Sequence, residues 1–308
     1  MRDNIFNRLQ QSGYDIAYEI GKLHEMFTEN FFAVKKNITG HHFSSGTKCI
    51  EEIVEMFSFY KWKQRGGLIS LVEFKNRVGI GDLVEAILND DSSIGSRIQD
   101  IIVYLEYMLN VLNIEEKIDY RGIQKYNLED YKATYDESKR LMLMQNLVIM
   151  VEHLNLVRHF NKKEELIILV EKDANVTAVA EIIDKQLFWP VIEYNHHLLK
   201  ESISRKREIL KKFADDLEHK RIDLKGINKS FTDNLFYAFN HLNIRHDNSD
   251  IEFVAKLSRV EAEKWYDEIY QLILYAYILL DSPERIQKIK TLKYSIETSK
   301  QQSKGELT

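Results

Sequence analysis

The clearest alternation of apolar and polar positions along the chain lies near its C-terminal end, in the segment 258–280. Apolar residues recur there at spacings of three and four, which places them on one face of an α-helix. The pattern therefore predicts a helix with one buried face over 258–280. Its apolar stripe consists of Ala262, Trp265, Ile269, Leu272, Ala276 and Leu279.

Three further segments of the C-terminal half carry strong apolar patterns. The segment 200–222 has one apolar stripe on an otherwise densely charged surface, which predicts a long amphipathic helix. The segment 139–160 is apolar on most faces, which favours a central helix surrounded by others. The short run "ELIILVEKDANV" at 165–176 is compatible with a strand or a helix, because periodicity does not separate the two over so few residues.

The N-terminal part shows a series of shorter helical patterns. They cover 12–34, 47–63, 81–90 and 95–113, and segments rich in turn-forming residues separate them. The whole chain contains only 2 prolines and 12 glycines, so turns are few and long elements are favoured. We therefore expect an all-α fold built as a helical bundle.

A polar, tyrosine-bearing stretch at 115–138 interrupts the apolar pattern and indicates a domain boundary near residue 130. After Ile296 the sequence has few residues that could be buried. The expected organisation is a smaller N-terminal helical domain over 1–130, a C-terminal helical bundle over 131–296 and a flexible tail over 297–308.

Composition and charge restrict the classes of protein that fit. The net charge of -5 argues against general coating of nucleic acid or of an anionic membrane, although a local basic surface is compatible with it. Neither a signal peptide nor an apolar stretch of about 20 residues is present in the sequence. The single cysteine, Cys49, cannot form an internal disulfide, so a reducing cytoplasm is the expected location.

The stretch "FNHLNIRHDNSD", residues 239–250, concentrates histidine, arginine and asparagine in a dozen positions. Ser230, followed three residues later by Asp233, resembles a capping arrangement, and apolar residues then follow at helical spacing. These features predict a helix over about 231–246 that "DNSD" terminates, because Asp and Asn favour local hydrogen bonds over helix.

On such a helix His241 and Arg245 are four residues apart and share a face. His246 lies about 100° around the axis from Arg245, and Asn240 and Asn243 flank the pair. An arginine offers a planar fork for phosphate, and a histidine exchanges a proton near neutral pH. The group is therefore chemically suited to cutting a phosphodiester.

The same residues also fit a purely structural role. The last turn of a helix attracts Arg and His because cations complement the exposed carbonyl groups there. Local chemistry alone leaves both interpretations open.

Three segments in succession extend the pattern: "YNHHLLKESISRKREIL", then "FYAFNHLNIRHDNSD", then "AEKWYDEIYQLILYAYILLD". Their order of long helix, polar motif helix and closing helix resembles that of the HEPN superfamily. This is a group of all-helical proteins frequent in bacterial phage-defence (abortive infection), toxin and RNA-processing systems. The resemblance covers about residues 185–290.

The resemblance implies a bundle that dimerises and brings two motifs together as a metal-independent RNA-cutting site. Arg245 would hold the phosphate, and His246 or His241 would move the proton. In the family a histidine follows the arginine and its polar neighbour a few residues later, whereas here "DNSDIEF" follows with no histidine. The resemblance is therefore also compatible with a non-catalytic RNA-binding or scaffold module.

The basic stretch 200–229 carries ten Lys or Arg residues against six Asp or Glu, which suits either an RNA backbone or a solvated helix surface. The sequence predicts no metal or cofactor site. Candidate substrate-binding residues are Arg205, Arg207, Asn240, Asn243 and Asn248.

Two classes of function follow from these patterns. The first is a HEPN-like endoribonuclease or RNA-binding effector of a defence or toxin system. The second is a non-catalytic helical interaction module, acting as a scaffold or sensor with a protein partner. DNA binding by the N-terminal helices is a third. We expect a homodimer formed through the C-terminal bundle, because the resemblance implies one and because the helix 262–280 has aromatic residues on more than one face. A monomer would favour the scaffold.

Overall fold

The computed structural model describes residues 15–30, 32–36, 44–55, 98–116, 131–162, 165–200, 202–246 and 256–305. Over these residues the chain is predominantly helical, which confirms the expected fold class. The chain divides into two compact units, residues 1–171 and residues 172–308. Within the described residues, no helix is both long and apolar enough to cross a membrane.

Within its described residues, the first unit contains three long helices and two small antiparallel sheets. In chain order its elements are α1 (Ile16–Thr28), β1 (Phe32–Lys36), β2 (Ser44–Lys48), α2 (Ile98–Glu116), β3 (Tyr131–Tyr135), α3 (Glu137–His153), β4 (Leu156–Asn161) and β5 (Leu166–Glu171). One sheet has the order β2-β1-β3, and the other is the hairpin β4-β5. The predicted helix over 81–90 lies outside the described residues, and only 50–55 of the predicted helix 47–63 are described as helical.

The core of the first unit surrounds α2, which is buried along nearly its whole length. Two of its buried polar side chains bond to the backbone of β5. Asn110 donates to the carbonyl of Ile167 over 2.8 Å and accepts from the N–H of Ile167 over 2.7 Å. Glu106 accepts from the N–H of Leu169 over 2.5 Å. These side chains satisfy backbone groups of β5 that would otherwise be buried without hydrogen bonds.

The prediction of one helix over 139–160 is wrong in its last part. The helix α3 ends at His153, Asn155 adopts a left-handed conformation with φ 54°, and the chain then forms β4. A strand is compatible with "LVRHFN" because its central residues, among them Val157 and Phe160, pair with the apolar run of β5. Of the two alternatives open for 165–176, the structure has a strand over Leu166–Glu171 followed by a helix.

The predicted helix over 12–34 is likewise shorter in the structure. Asp15 caps its N-terminus by accepting a hydrogen bond from the N–H of Tyr18, and α1 ends at Thr28. The strand β1 then begins at Phe32.

The division between the units falls after Glu171, whereas the polar stretch predicted a boundary near 130. The physical reason is the packing of α3. Its buried residues Leu143, Leu147 and Met150 belong to the same apolar cluster as α1 and α2. Those contacts place the segment 131–171 in the first unit.

The second unit is all helical within its described residues. It contains α4 (Ala174–Ile182), α5 (Lys185–Glu193), a 3-10 turn (His197–Leu199), α6 (Ile203–His219), α7 (Arg221–Ile227), α8 (Lys229–His241) and α9 (Arg259–Gly305). Helix α9 extends to Gly305, so the segment expected to be a flexible tail from 297 is helical up to that residue. The core includes Ile209, Phe213, Leu217, Leu235, Phe236, Phe239, Ile273 and Tyr277.

One cation lies in this core. The ammonium of Lys206 in α6 donates to Glu263 over 2.6 Å and to Asp267 over 2.7 Å, and its side chain is 7% exposed. Asp267 also accepts from the hydroxyl of Tyr194, and the ring of Tyr194 stacks on that of Tyr270 with centroids 4.0 Å apart. Burial, followed by the Asp267 charge, raises the pKa of Tyr194, so its hydroxyl stays protonated.

Candidate functional site

The polar motif lies where α8 ends. The N-cap of α8 is Asn228, whose side chain accepts from the N–H of Phe231 over 3.1 Å, so the helix begins before the predicted cap at Ser230. Its apolar face, which includes Phe239, packs inward, and α8 contacts α6 and α9. This packing fixes the end of α8 beside the second half of α6.

Helix α8 ends at His241 rather than at 246. Asn243 takes a left-handed conformation with φ 58°, as residues that follow the end of a helix commonly do. Ile244 is then fully buried, and the N–H of Arg245 donates to the carbonyl of Phe239 over 3.1 Å. The motif therefore terminates a helix, and the expectation that His241 and Arg245 share a helical face is wrong.

Arg245 is held by carboxylates of α6. Its Nη1 donates to Oε2 of Glu218 over 2.6 Å, and its Nε lies 3.9 Å from Oδ1 of Asp215. The Arg245 side chain is 22% exposed. Because both carboxylates belong to the same unit as Arg245, the guanidinium is already charge-compensated.

Glu218 also binds a second arginine. Nη1 of Arg221, in α7, lies 3.2 Å from Oε1 of Glu218, so the two carboxylate oxygens serve two guanidinium groups. The guanidinium of Arg221 lies 4.5 Å above the ring centroid of Phe236, within reach of a cation–π interaction. The Arg221–Glu218–Arg245 network therefore ties α6, α7 and the end of α8 together.

His241 lies on the exposed side of the helix end. Its ring stacks on that of Tyr237 with centroids 4.0 Å apart, and its Nδ1 lies 2.8 Å from the carbonyl oxygen of Tyr237. A carbonyl can only accept, so Nδ1 carries the proton and Nε2 of the neutral ring keeps its lone pair. His246 is exposed as well, whereas Asn240 and Asn243 are half-buried.

The remaining predicted substrate-binding residues do not gather at this helix end. Arg205 forms a two-bond fork with Glu193, over 2.7 and 3.0 Å, and also binds Glu208. Arg207 is half-buried near Tyr266, where its charge opposes the rise that burial causes in the tyrosine's pKa. Asn248 lies outside the described residues.

Many charges of the predicted basic surface are paired within the unit. Lys220 binds Asp216 over 2.7 Å, and Lys225 binds Asp233 over 2.8 Å. The hydrogen bond from Lys225 holds the pKa of Asp233 below its ordinary value. Lys211 and Lys212 remain exposed on α6. The surface over 200–229 thus alternates cations with carboxylates rather than forming a continuous basic face.

Glu218, Asp215 and Tyr237 shape the site, and the sequence reasoning missed all three. Glu218 precedes Arg245 by 27 positions, so no local spacing connects them. The sequence feature that comes closest to indicating Glu218 and Asp215 is the presence of carboxylates on the polar side of the amphipathic helix α6.

Comparison with known proteins found no match to a family model, to a curated protein or to a solved structure. The resemblance to the HEPN superfamily therefore stays a prediction that rests on the quoted segments.

Proposed function

We propose that this chain is a non-catalytic helical interaction module, a scaffold or sensor that acts by contacting a protein partner. The observation that carries the proposal is the 2.6 Å hydrogen bond between Arg245 and Glu218, with Asp215 beside it. In this role Arg245 fastens the end of α8 to α6.

Electrostatics supports the structural role of Arg245. A phosphate held by its guanidinium would lie beside two carboxylates, and like charges at such distances repel. The phosphate would also have to displace Glu218, which additionally binds Arg221. Both effects weaken phosphate binding at this position.

A second candidate is the HEPN-like metal-independent ribonuclease or RNA-binding effector, with RNA as its partner. The observation that favours it is the exposed ring of His241, whose Nδ1 proton faces the Tyr237 carbonyl and leaves Nε2 able to accept a proton. In that mechanism Arg245 would exchange Glu218 for phosphate. A role in phage defence or as a toxin, and a cytoplasmic location, stay predictions.

An RNA assay tests the choice between the two candidates. Purified full-length chain is incubated with mixed-sequence RNA in EDTA, and we expect neither cleavage nor salt-sensitive binding. Metal-independent cleavage that His241→Ala or His246→Ala abolishes would overturn the proposal and favour the ribonuclease. His219→Ala, an exposed histidine at the end of α6, is the matched control.

A further inference from the structure

The longest element of the chain carries an exposed apolar seam. Helix α9 spans 47 residues, and one set of positions on it repeats at alternating spacings of three and four from Trp265 to Ile296. This spacing is the heptad repeat of a coiled coil. The apolar members of the seam are Trp265, Leu272, Tyr275, Leu279, Ile286, Ile289 and Ile296, and its polar members are Glu268, Ser282 and Lys293.

The apolar members of the seam are large and exposed to solvent, except Leu279, which is half-buried. Leu272 is 40% exposed, Ile286 53% and Ile289 65%. The residues that α9 buries in its own unit, such as Ile269, Ile273 and Tyr277, lie on a different face. The seam is thus a second apolar face of the same helix.

Beyond Pro283 the helix has little support from its own unit, because every residue from 283 to 297 is exposed. Ser282 donates to the carbonyl of Leu279, the acceptor that the missing N–H of Pro283 leaves without its helical donor. In proteins most of the stability of a helix comes from packing of its apolar face, and large exposed apolar surfaces mark interaction sites. The seam is therefore a candidate surface for a partner.

Charge identifies the partner as a second copy of this chain. The part of α9 over 259–281 carries two basic and five acidic residues, whereas 282–300 carries five basic and two acidic. Two antiparallel copies would set the acidic part of each against the basic part of the other. A parallel pair would set like charges together.

One antiparallel register pairs the large apolar members of the seam with one another, except Leu279, which faces Ser282. When Leu272 faces Ile289 of the second copy, Tyr275 faces Ile286, and Trp265 faces Ile296. The same register sets Glu268 against Lys293. The contact extends over about 47 Å at a rise of about 1.5 Å per residue.

We propose that two copies of this chain associate through an antiparallel coiled coil of their α9 helices, with Glu268 of each copy facing Lys293 of the other. The proposal rests on the proposed interaction function and deepens it, because it names a second copy of this chain as the protein partner. The association itself does not depend on Arg245.

The first test is the mass of the full chain by light scattering at micromolar concentration. We expect about twice 36.5 kDa. Ile289→Asp should weaken association about hundredfold, because each dimer loses two buried isoleucines. Thr291→Asp, which introduces the same side chain on the side of α9 away from the seam, is the control and should leave the mass unchanged.

The second test is a charge exchange. Glu268→Lys alone and Lys293→Glu alone should each weaken association about tenfold, since each creates two like-charge contacts per dimer. The double variant should recover the original affinity, and a mixture of the two single variants should form a heterodimer. Because Lys293 also lies 3.9 Å from Glu297 of its own chain, recovery in the mixture distinguishes the intermolecular contact from that local pair.

A monomeric full chain overturns the proposal. The proposal is equally overturned if Ile289→Asp does not weaken the association of the dimer. It is also overturned if the single charge variants associate as tightly as the unchanged chain. The proposed function is tested by RNA cleavage and salt-sensitive RNA binding instead, so a failure here is distinguishable from a failure of the proposed function.

Discussion

Nη1 of Arg245 lies 2.6 Å from Oε2 of Glu218, and Nη1 of Arg221 lies 3.2 Å from the other oxygen of the same carboxylate. Glu218 of α6 therefore binds Arg245, the residue that the sequence indicates as the candidate for phosphate binding. The arrangement satisfies the charges locally and leaves the helix end as a fixed structural feature.

The left-handed residue Asn243 should be sensitive to substitution in a characteristic order. Asn243→Gly should change the free energy of unfolding little, because glycine adopts positive φ without steric cost. Asn243→Val should destabilise the protein by about 1–2 kcal/mol, since a β-branched side chain opposes this conformation. Urea unfolding checks the order, and equal effects of Gly and Val would contradict the described helix end.

Asn110 should be among the most costly polar residues to remove. Asn110→Ala leaves the N–H and the carbonyl of Ile167 buried without their side-chain partner, which should destabilise the protein by about 3 kcal/mol. Asn146→Ala is the control, because Asn146 bonds only to a carbonyl of its own helix at the surface. If the two variants unfold at the same urea concentration, the link between α2 and β5 is not formed as described.

Lys206 should behave as a buried ion-pair partner. Lys206→Ala leaves Glu263 without its ammonium partner, and we expect a loss of about 3 kcal/mol in the free energy of unfolding. The double variant Lys206→Met with Glu263→Gln should lose less free energy of unfolding than Lys206→Ala does, because no uncompensated charge then remains at position 263. Lys212→Ala, at an exposed position of the same helix, should be close to neutral. If Lys206→Ala leaves the free energy of unfolding unchanged, the ion pair is solvated rather than buried.

Stability should fall on mild acidification because of two partly buried histidines. Burial lowers the pKa of His24 and of His159 below the ordinary 6.5, and nearby Glu51 and Glu25 only partly oppose this for His24. A lowered histidine pKa means that the folded state binds the proton less readily than the unfolded state does. The resulting contribution is fully present above pH 6.5 and is lost as the pH falls from 6.5 through the lowered pKa values.

Urea unfolding at pH 7.5 and pH 5.5 measures this dependence, at about one pH unit on either side of the ordinary histidine pKa. The double variant His24→Gln with His159→Gln should lose less stability between the two conditions than the unchanged chain does. An identical loss in both proteins would assign the acid sensitivity to other groups.

Periodicity predicted the existence of the long helices α6 and α9. The buried stripe predicted for α9 is wrong in part, because Ile269 and Ala276 are buried whereas Trp265 and Leu272 are exposed. Periodicity did not predict β4, because "LVRHFN" continues the apolar run of α3 and its pairing with β5 is a contact between two segments, which the periodicity of one segment does not reveal. The extension of α9 past Ile296 was also missed, since helix continuation there does not require burial.

The candidate site was predictable only in part. Helix-stopping residues after His246 indicated that a helix ends nearby, but the end at His241 depends on the left-handed Asn243 and the burial of Ile244. The partner of Arg245 depends on how α6 and α8 pack, which a single sequence does not specify.

The most direct test of the structural role of the motif is a double-mutant cycle between Arg245 and Glu218, measured by urea unfolding. Arg245→Ala, Glu218→Ala and the double variant should give a coupling free energy of about 1 kcal/mol, the stabilisation expected of a partly exposed pair. The same proteins should all leave RNA uncut in EDTA. A coupling near zero, together with RNA cleavage that Arg245→Ala abolishes without loss of stability, would contradict the account and assign Arg245 to catalysis.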